Sequence, residues 1–154
     1  GYWILNDVIW VKTNPMPNWL GVRFTNATET LIWATKDKNA KKYTFHRDMA
    51  KKFGIGKVGA NVWVLPICSG KERLRDENGN KIHSTQKPVE LLKRILLVTS
   101  NENDLILDPI AGTGTTGHVA RALKRNFSTL LMLYMRHIDR SFFPVIDHQQ
   151  KFLL

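Results

Sequence analysis

Apolar side chains along this chain gather in short runs, divided by polar stretches that carry proline, glycine or lysine. Residues Tyr2 to Val11 (YWILNDVIWV) are rich in β-branched and aromatic side chains and predict a buried strand. Pro15 and Pro17, followed by Gly21, exclude helix and mark a loop. Thr30 to Thr35 (TLIWAT) predicts a second strand, Lys36 to Lys42 a lysine-rich turn, and Asn61 to Leu65 a short strand stopped by Pro66. Asn78-Gly79, inside the polar stretch Arg73 to His83, signals a tight turn.

Helical spacing appears after Pro88, a residue that suits the first helical position. Leu91, Leu92, Ile95, Leu96 and Thr99 lie three and four apart and form one apolar face, which Asn101 to Asp104 ends. A short strand, Leu105 to Leu107, runs into Asp108-Pro109 and a glycine-rich loop. A helix is expected from about Thr115 to Leu123 and a further strand at Leu130 to Tyr134. A strand feeding a glycine-rich turn and then a helix predicts a doubly wound α/β sheet.

Composition sharpens this picture. The 154 residues amount to about one domain, and 43% apolar residues with five Trp and seven Phe suffice for a real core. The net charge of +10 favours a polyanion such as nucleic acid, although a merely soluble basic protein carries the same surplus. From Lys36 to Lys57 eight Lys or Arg face two Asp, with Tyr43, Phe45 and Phe53 interleaved. Cys68, the single cysteine, permits no intramolecular disulfide or cysteine-based metal site; it fits a reducing cytoplasm and reads as a packing residue. No apolar run approaches the roughly 18 residues of a membrane span. With no secretory signal and Gly1 in first place, the expectation is an internal piece of a longer protein.

The sharpest candidate chemistry is Asp108-Pro109-Ile110-Ala111-Gly112-Thr113-Gly114-Thr115-Thr116. Gly112 and Gly114 allow a tight bend and close approach of a ligand, and the helix start offers hydroxyls and free N–H groups. No Lys follows Gly114, so it is not a phosphate loop; Gly112, Gly114 and Gly117 keep the GxGxxG spacing, which by itself is a weak signal. Taken alone, the segment is either a ligand loop or a structural turn.

His83-Ser84-Thr85-Gln86-Lys87-Pro88, a helix, a strand and this loop together resemble motif X followed by motif I of the β-class DNA amino-methyltransferases. Upstream, Asn6-Asp7-Val8-Ile9-Trp10, Asn14-Pro15-Met16-Pro17-Asn18, Arg23-Phe24-Thr25-Asn26 and Glu29 to Ala34 resemble the region after that class's catalytic motif. Pro66 to Arg73 is similar to adenine-N6 members, most of all those that modify GANTC sites, and the likeness covers roughly residues 1–127.

The resemblance implies a Rossmann-like methyltransferase sheet, incomplete, with a basic recognition insert. It divides the chain into a catalytic-region remainder (1–35), a target-recognition insert (36–82), an S-adenosylmethionine-binding part (83–134) and a tail (135–154). Cofactor contacts would fall to Asp108, Pro109, Ile110, Ala111, Gly112, Thr113, Gly114 and Thr115, with His83, Thr85, Gln86, Lys87 and Pro88 closing the pocket. Asp108 would accept from the cofactor's ammonium or cap its own loop; Lys87 would pair with the cofactor carboxylate or stay solvated. Ile110 stands where the family often has Phe, which implies weaker binding. No metal is implied.

The partner implied is double-stranded DNA, and a homodimer is left open. Arg23, Lys41, Lys42 and Arg47 would follow phosphates. Asn61, Ser69, Lys71, Arg73 and Arg75 would reach base edges. Trp19 or Phe24 would stack on an exposed base, whereas Trp10, Trp33 and Trp63 on strands are expected in the core.

Two departures bear on activity. The family's catalytic motif sets two adjacent prolines before an aromatic, and none of the six prolines here adjoins another. In β-class order that motif precedes Gly1, so no catalytic residue is assigned and this chain alone is expected to be inactive. The strand beside Leu105 to Leu107 would be missing with it, leaving exposed edges. The family also has a Glu on the strand after Phe127, where this chain reads Ser128 to Leu133 and reaches no carboxylate before Asp139. A frameshift or truncation in the gene is the expected origin of the tail. The expected function is adenine-N6 methyl transfer to a flipped-out base of a specific DNA site. The alternatives are a non-catalytic DNA-binding remnant or pseudoenzyme, and a cytosine-N4 enzyme.

Overall fold

A computed structural model describes residues 1–56 and 58–129. Strand β1 (Trp3–Lys12) pairs antiparallel with β2 (Thr28–Thr35) and parallel with β3 (Val62–Leu65), giving the order β2-β1-β3. Strand β4 (Leu105–Asp108) pairs parallel with β5 (Asn126–Thr129) in a separate two-stranded sheet. Helices α1 (Arg47–Phe53), α2 (Val89–Thr99) and α3 (Thr115–Ala122) complete the described elements, with a 3-10 turn at Gly70–Glu72. The α/β class expected from the pattern is therefore present, as partial sheets.

The helices explain where the core sits. Leu91, Leu92 and Ile95 of α2 pack on Trp10, Trp63 and Leu65, which alternation puts on one face of the first sheet. Leu96, one turn on, joins Val119 and Ala120 of α3 over Ile106 and Phe127 of the second. α2 thus bridges both sheets. The opposite faces carry exposed Ile32, Val64, Leu105 and Leu107. Among the described residues β4 pairs with β5 alone.

Local detail shows why each piece holds. Gly117 meets Phe127 closely: a Cβ there would lie 2.8 Å from the ring, so α3 can settle on β5 only without one. This is the helix–strand packing duty of the third glycine in dinucleotide-binding turns, at the position that motif gives it. Arg125, nearly buried, donates to the Ser100 carbonyl (2.8 Å), the Ser100 hydroxyl (3.2 Å) and the Leu123 carbonyl, where α2 and α3 end. Carbonyls at helix C-termini suit a cation.

Several expectations need correction. Helix α1 lies inside the segment read only as a basic insert. Its two turns give too short an apolar pattern to read, and tertiary contacts hold it. The His46 N–H donates to the Val98 carbonyl (2.8 Å), and Arg94 donates to the Phe53 carbonyl (3.1 Å) and covers the Phe53 ring. Strand β5 follows α3 at Asn126–Thr129, where no strand was expected; the strand expected at Leu130 to Tyr134, the tail and Asp139 lie outside the described residues. Trp10 and Trp63 are buried as expected, but Trp33 is half-buried, stacked on Phe45 at 5.2 Å and edge-on to Tyr43 at 5.5 Å. β1 is buried chiefly towards its end at Trp10, and its first residues are exposed. The tight turn at Asn78-Gly79 is present: Gly79 takes φ +79°, and its N–H donates to the Asp76 carbonyl at 2.9 Å.

Candidate functional site

The glycine loop leaves the carboxyl end of β4 and enters α3. Gly112 (φ +54°) and Gly114 (φ +74°) both take left-handed conformations that side chains disfavour. The Gly114 N–H donates to the Ala111 carbonyl (2.8 Å), which closes the bend, and the Asp108 carboxylate accepts from the Ile110 N–H (3.1 Å). Asp108 therefore caps its own loop, one of the two roles foreseen for it. The Thr113 and Thr115 hydroxyls lie 3.0 Å apart and are buried, so they brace the bend from inside. Pro109 and Ile110 stand exposed on the open side. The first N–H groups of α3 have no acceptor within the helix, and no side chain caps them at Gly114.

The second segment meets this loop at His83. A Cβ built on Gly112 would stand 3.2 Å from His83 Nε2, so the imidazole occupies the space that glycine leaves. The Thr85 N–H donates to His83 Nδ1 (3.1 Å), which makes Nδ1 the acceptor and leaves the neutral ring's proton on Nε2, towards the loop. Arg73 fixes the backbone here, donating to the carbonyls of His83 (3.2 Å), Ser84 (3.3 Å) and Cys68 (2.7 Å). Expected at base edges, its guanidinium is thus committed within the chain.

The rest of the arm turns to other tasks. The Gln86 amide donates to the Glu72 carbonyl (2.9 Å) and its oxygen accepts from the Leu74 N–H (2.9 Å). The Glu72 carboxylate accepts the Val89 N–H and so caps α2, whose own N-cap is the buried Pro88. Lys87 binds Glu29 (2.7 Å), which also binds Lys12 (3.1 Å), and both ammonium groups sit over the Trp10 ring. Burial raises the Glu29 carboxyl, but hydrogen bonds and charge from Lys87 and Lys12 outweigh it and hold the group below its usual range. Burial and then Glu72 push the Cys68 thiol up, which fits packing and not nucleophilic work.

Ser84 to Lys87 also wall a cleft of about 570 Å³, faced across by Asn18 to Asn26. None of Asp108 to Thr115 lines it. The arm therefore has two sides, His83 on the glycine loop and Ser84 to Lys87 on the cleft. Arg23 borders the cleft and is exposed, as are Lys41, Lys42, Arg47 and Lys71 elsewhere on the surface. Asn61 holds β1, donating to the Asp7 carbonyl (3.1 Å) and carboxylate (3.2 Å), and Arg75 donates to the Gly79 carbonyl (2.6 Å). Sequence reasoning gave no role to Glu29, Glu72 or Arg125; charges at the edges of apolar runs were their only signal. Among the described residues no group of His, Cys, Asp or Glu could hold a metal, and no helix is long and apolar enough to cross a membrane.

The profile of a DNA methylase family matches residues 1–138, the His83 arm and the glycine loop included. The chain belongs to this DNA methylase family. The match passes Phe127, where the likeness read from the residues fades. Among curated relatives, the type II methyltransferase M.HinfI of Haemophilus influenzae is 54% identical over 126 residues, covering 82% of this chain and 35% of that protein. The type II methyltransferase M2.LlaDCHI of Lactococcus lactis subsp. cremoris is 42% identical over 127 residues, covering 82% and 45%. The chain thus spans under half the length of these methylase relatives. Among solved structures, the M1.HpyAVI–SAM complex superposes with a TM-score of 0.64 at 34% identity, covering 84% of this chain and 56% of that one.

Proposed function

We propose that this methylase chain is the S-adenosylmethionine-holding and DNA-contacting part of an adenine-N6 DNA methyltransferase. The observation that supports the reading is the seating of His83 against Gly112, which brings together two segments distant in sequence. The residues suit the cofactor: the left-handed glycines bend the loop tightly into the start of α3, His83 stands beside Gly112, and Pro109 and Ile110 offer exposed apolar surface. S-adenosylmethionine, bound there, supplies a methyl group on a sulfonium. This chain's residues bind and orient: the glycine loop takes the methionine end and adenosine, and His83 Nε2–H donates into the pocket. Gln86, Pro88 and Arg73 position the arm. Lys87, engaged by Glu29, ties the arm to β2.

DNA would be met by Arg23, Lys41, Lys42, Arg47 and Lys71, whose charges neutralise phosphates. Likeness to M.HinfI, a GANTC adenine methylase, supports the adenine reading over cytosine-N4. A second reading, a DNA-binding remnant without catalysis, is favoured by one feature: no two of the six prolines are adjacent, so no Pro-Pro-aromatic motif occurs within these residues. Ultraviolet cross-linking of radiolabelled S-adenosylmethionine, followed by peptide mapping, tests the pocket. Label should appear in the peptides bearing His83 and Asp108 to Thr115; label spread evenly over the chain contradicts the assignment. Incubation with duplex DNA should leave the DNA unlabelled, and label in the DNA would refute the inactivity of this chain.

A further inference from the structure

Between β1 and β2 the chain forms a finger whose tip is unusually apolar. Phe24 is 96% exposed, Trp19 85%, Leu20 82% and Val22 79%. The finger is pre-shaped. The Asn18 amide donates to the Arg23 carbonyl (2.8 Å), the Gly21 N–H to the Asn18 carbonyl (3.0 Å), and Gly21 takes φ +64°. Its base is tied down where the Asn14 side chain accepts the Ile67 N–H (2.7 Å) and Lys12 reaches the Asn26 carbonyl (3.4 Å). A braced loop that presents flat and branched apolar groups marks an interaction surface, and its shape costs little to order on binding.

Charge identifies the occupant. The cleft behind the finger is bordered by Lys12, Arg23, Arg73, Lys81 and Lys87 against the single acid Glu29, and Arg23 sits between the apolar tips. A protein surface would not favour this mixture, whereas opened duplex DNA offers bases to stack on and phosphates to neutralise. We propose that the finger Asn18–Thr25 is a wedge that enters a base step of duplex DNA, with Trp19 and Phe24 on the unstacked bases and Arg23 on the adjacent phosphate. This deepens the DNA-contact reading and rests on it.

Fluorescence anisotropy of the whole chain with a fully paired duplex, and with the same duplex carrying one mismatched pair, tests the wedge. Unstacking is easier at a mismatch, so the chain should bind that duplex roughly tenfold tighter. The Trp19→Ala/Phe24→Ala variant should lose the preference to within about twofold while keeping most affinity for paired DNA, and Arg23→Ala should weaken both duplexes equally. 2-Aminopurine at the mismatch neighbour should brighten with the wild-type chain alone. No preference in the wild type, or a preference unchanged in the double variant, overturns the wedge and leaves DNA contact standing. Binding to neither duplex overturns both readings. Self-association abolished by Trp19→Ala/Phe24→Ala would make the finger a contact between copies and overturn the wedge too.

Discussion

The imidazole of His83 fills the space beside Gly112, with Nε2 3.2 Å from where a Cβ on that glycine would stand. Twenty-nine positions separate the two residues, so a fold must bring them together, and α2 and β4 between them do so. α2 packs on both sheets, which sets the arm at its amino end against the loop at the carboxyl end of β4. The candidate pocket is thus a consequence of the helix that bridges the sheets.

That dependence makes Arg125 a test of the scaffold. Its guanidinium joins the end of α2 to the end of α3 through Ser100 and Leu123. Arg125→Ala should lower stability by about 2–4 kcal/mol, since it strands buried acceptors and opens a cavity. Arg125→Lys should recover only part, because an ammonium cannot fork to the same carbonyls. Urea denaturation followed by circular dichroism reads both.

Gly117 offers a steric test. Gly117→Ala places a methyl 2.8 Å from the Phe127 ring and should cost about 1–3 kcal/mol. Phe127→Leu in the same chain should restore part of the loss. Equal stability of wild type and Gly117→Ala would show that α3 does not sit as closely on β5 as described.

The Glu29 network should show in acid. Its carboxyl is held below the ordinary value, so the stabilisation is complete above the unfolded pKa and disappears as pH falls through the folded one. Glu29→Gln should be less stable than wild type at neutral pH by less than about 1 kcal/mol, because the pair is partly exposed. The gap should close below about pH 4. Denaturation midpoints of both proteins across pH 3 to 7 check the sign.

How much of this could be read from the residues follows from where the information lies. β1, β2, β4, α2 and α3 are local patterns of apolar spacing, proline and glycine, and they appear where the pattern puts them to within a few residues. Helix α1 was invisible because it depends on Val98 and Arg94, which lie far along the chain. The glycine loop and the arm were legible as motifs, but the partners of the arm were not. Lys87 looks like a free cation until the strand pairing puts Glu29 beside it, and Arg73 looks like a DNA contact until the fold surrounds it with carbonyls. Gly117 completes a GxGxxG spacing, but its packing role shows only from the Phe127 ring.

Calorimetric titration of S-adenosylmethionine into the chain tests the pocket most directly. The wild-type protein should bind one equivalent. Gly112→Ala, which combines a disfavoured backbone angle with crowding of His83, should weaken binding by roughly tenfold or more while the circular dichroism spectrum is kept. Absence of heat with wild type, or the same affinity in Gly112→Ala, would contradict a cofactor pocket built from His83 and the glycine loop.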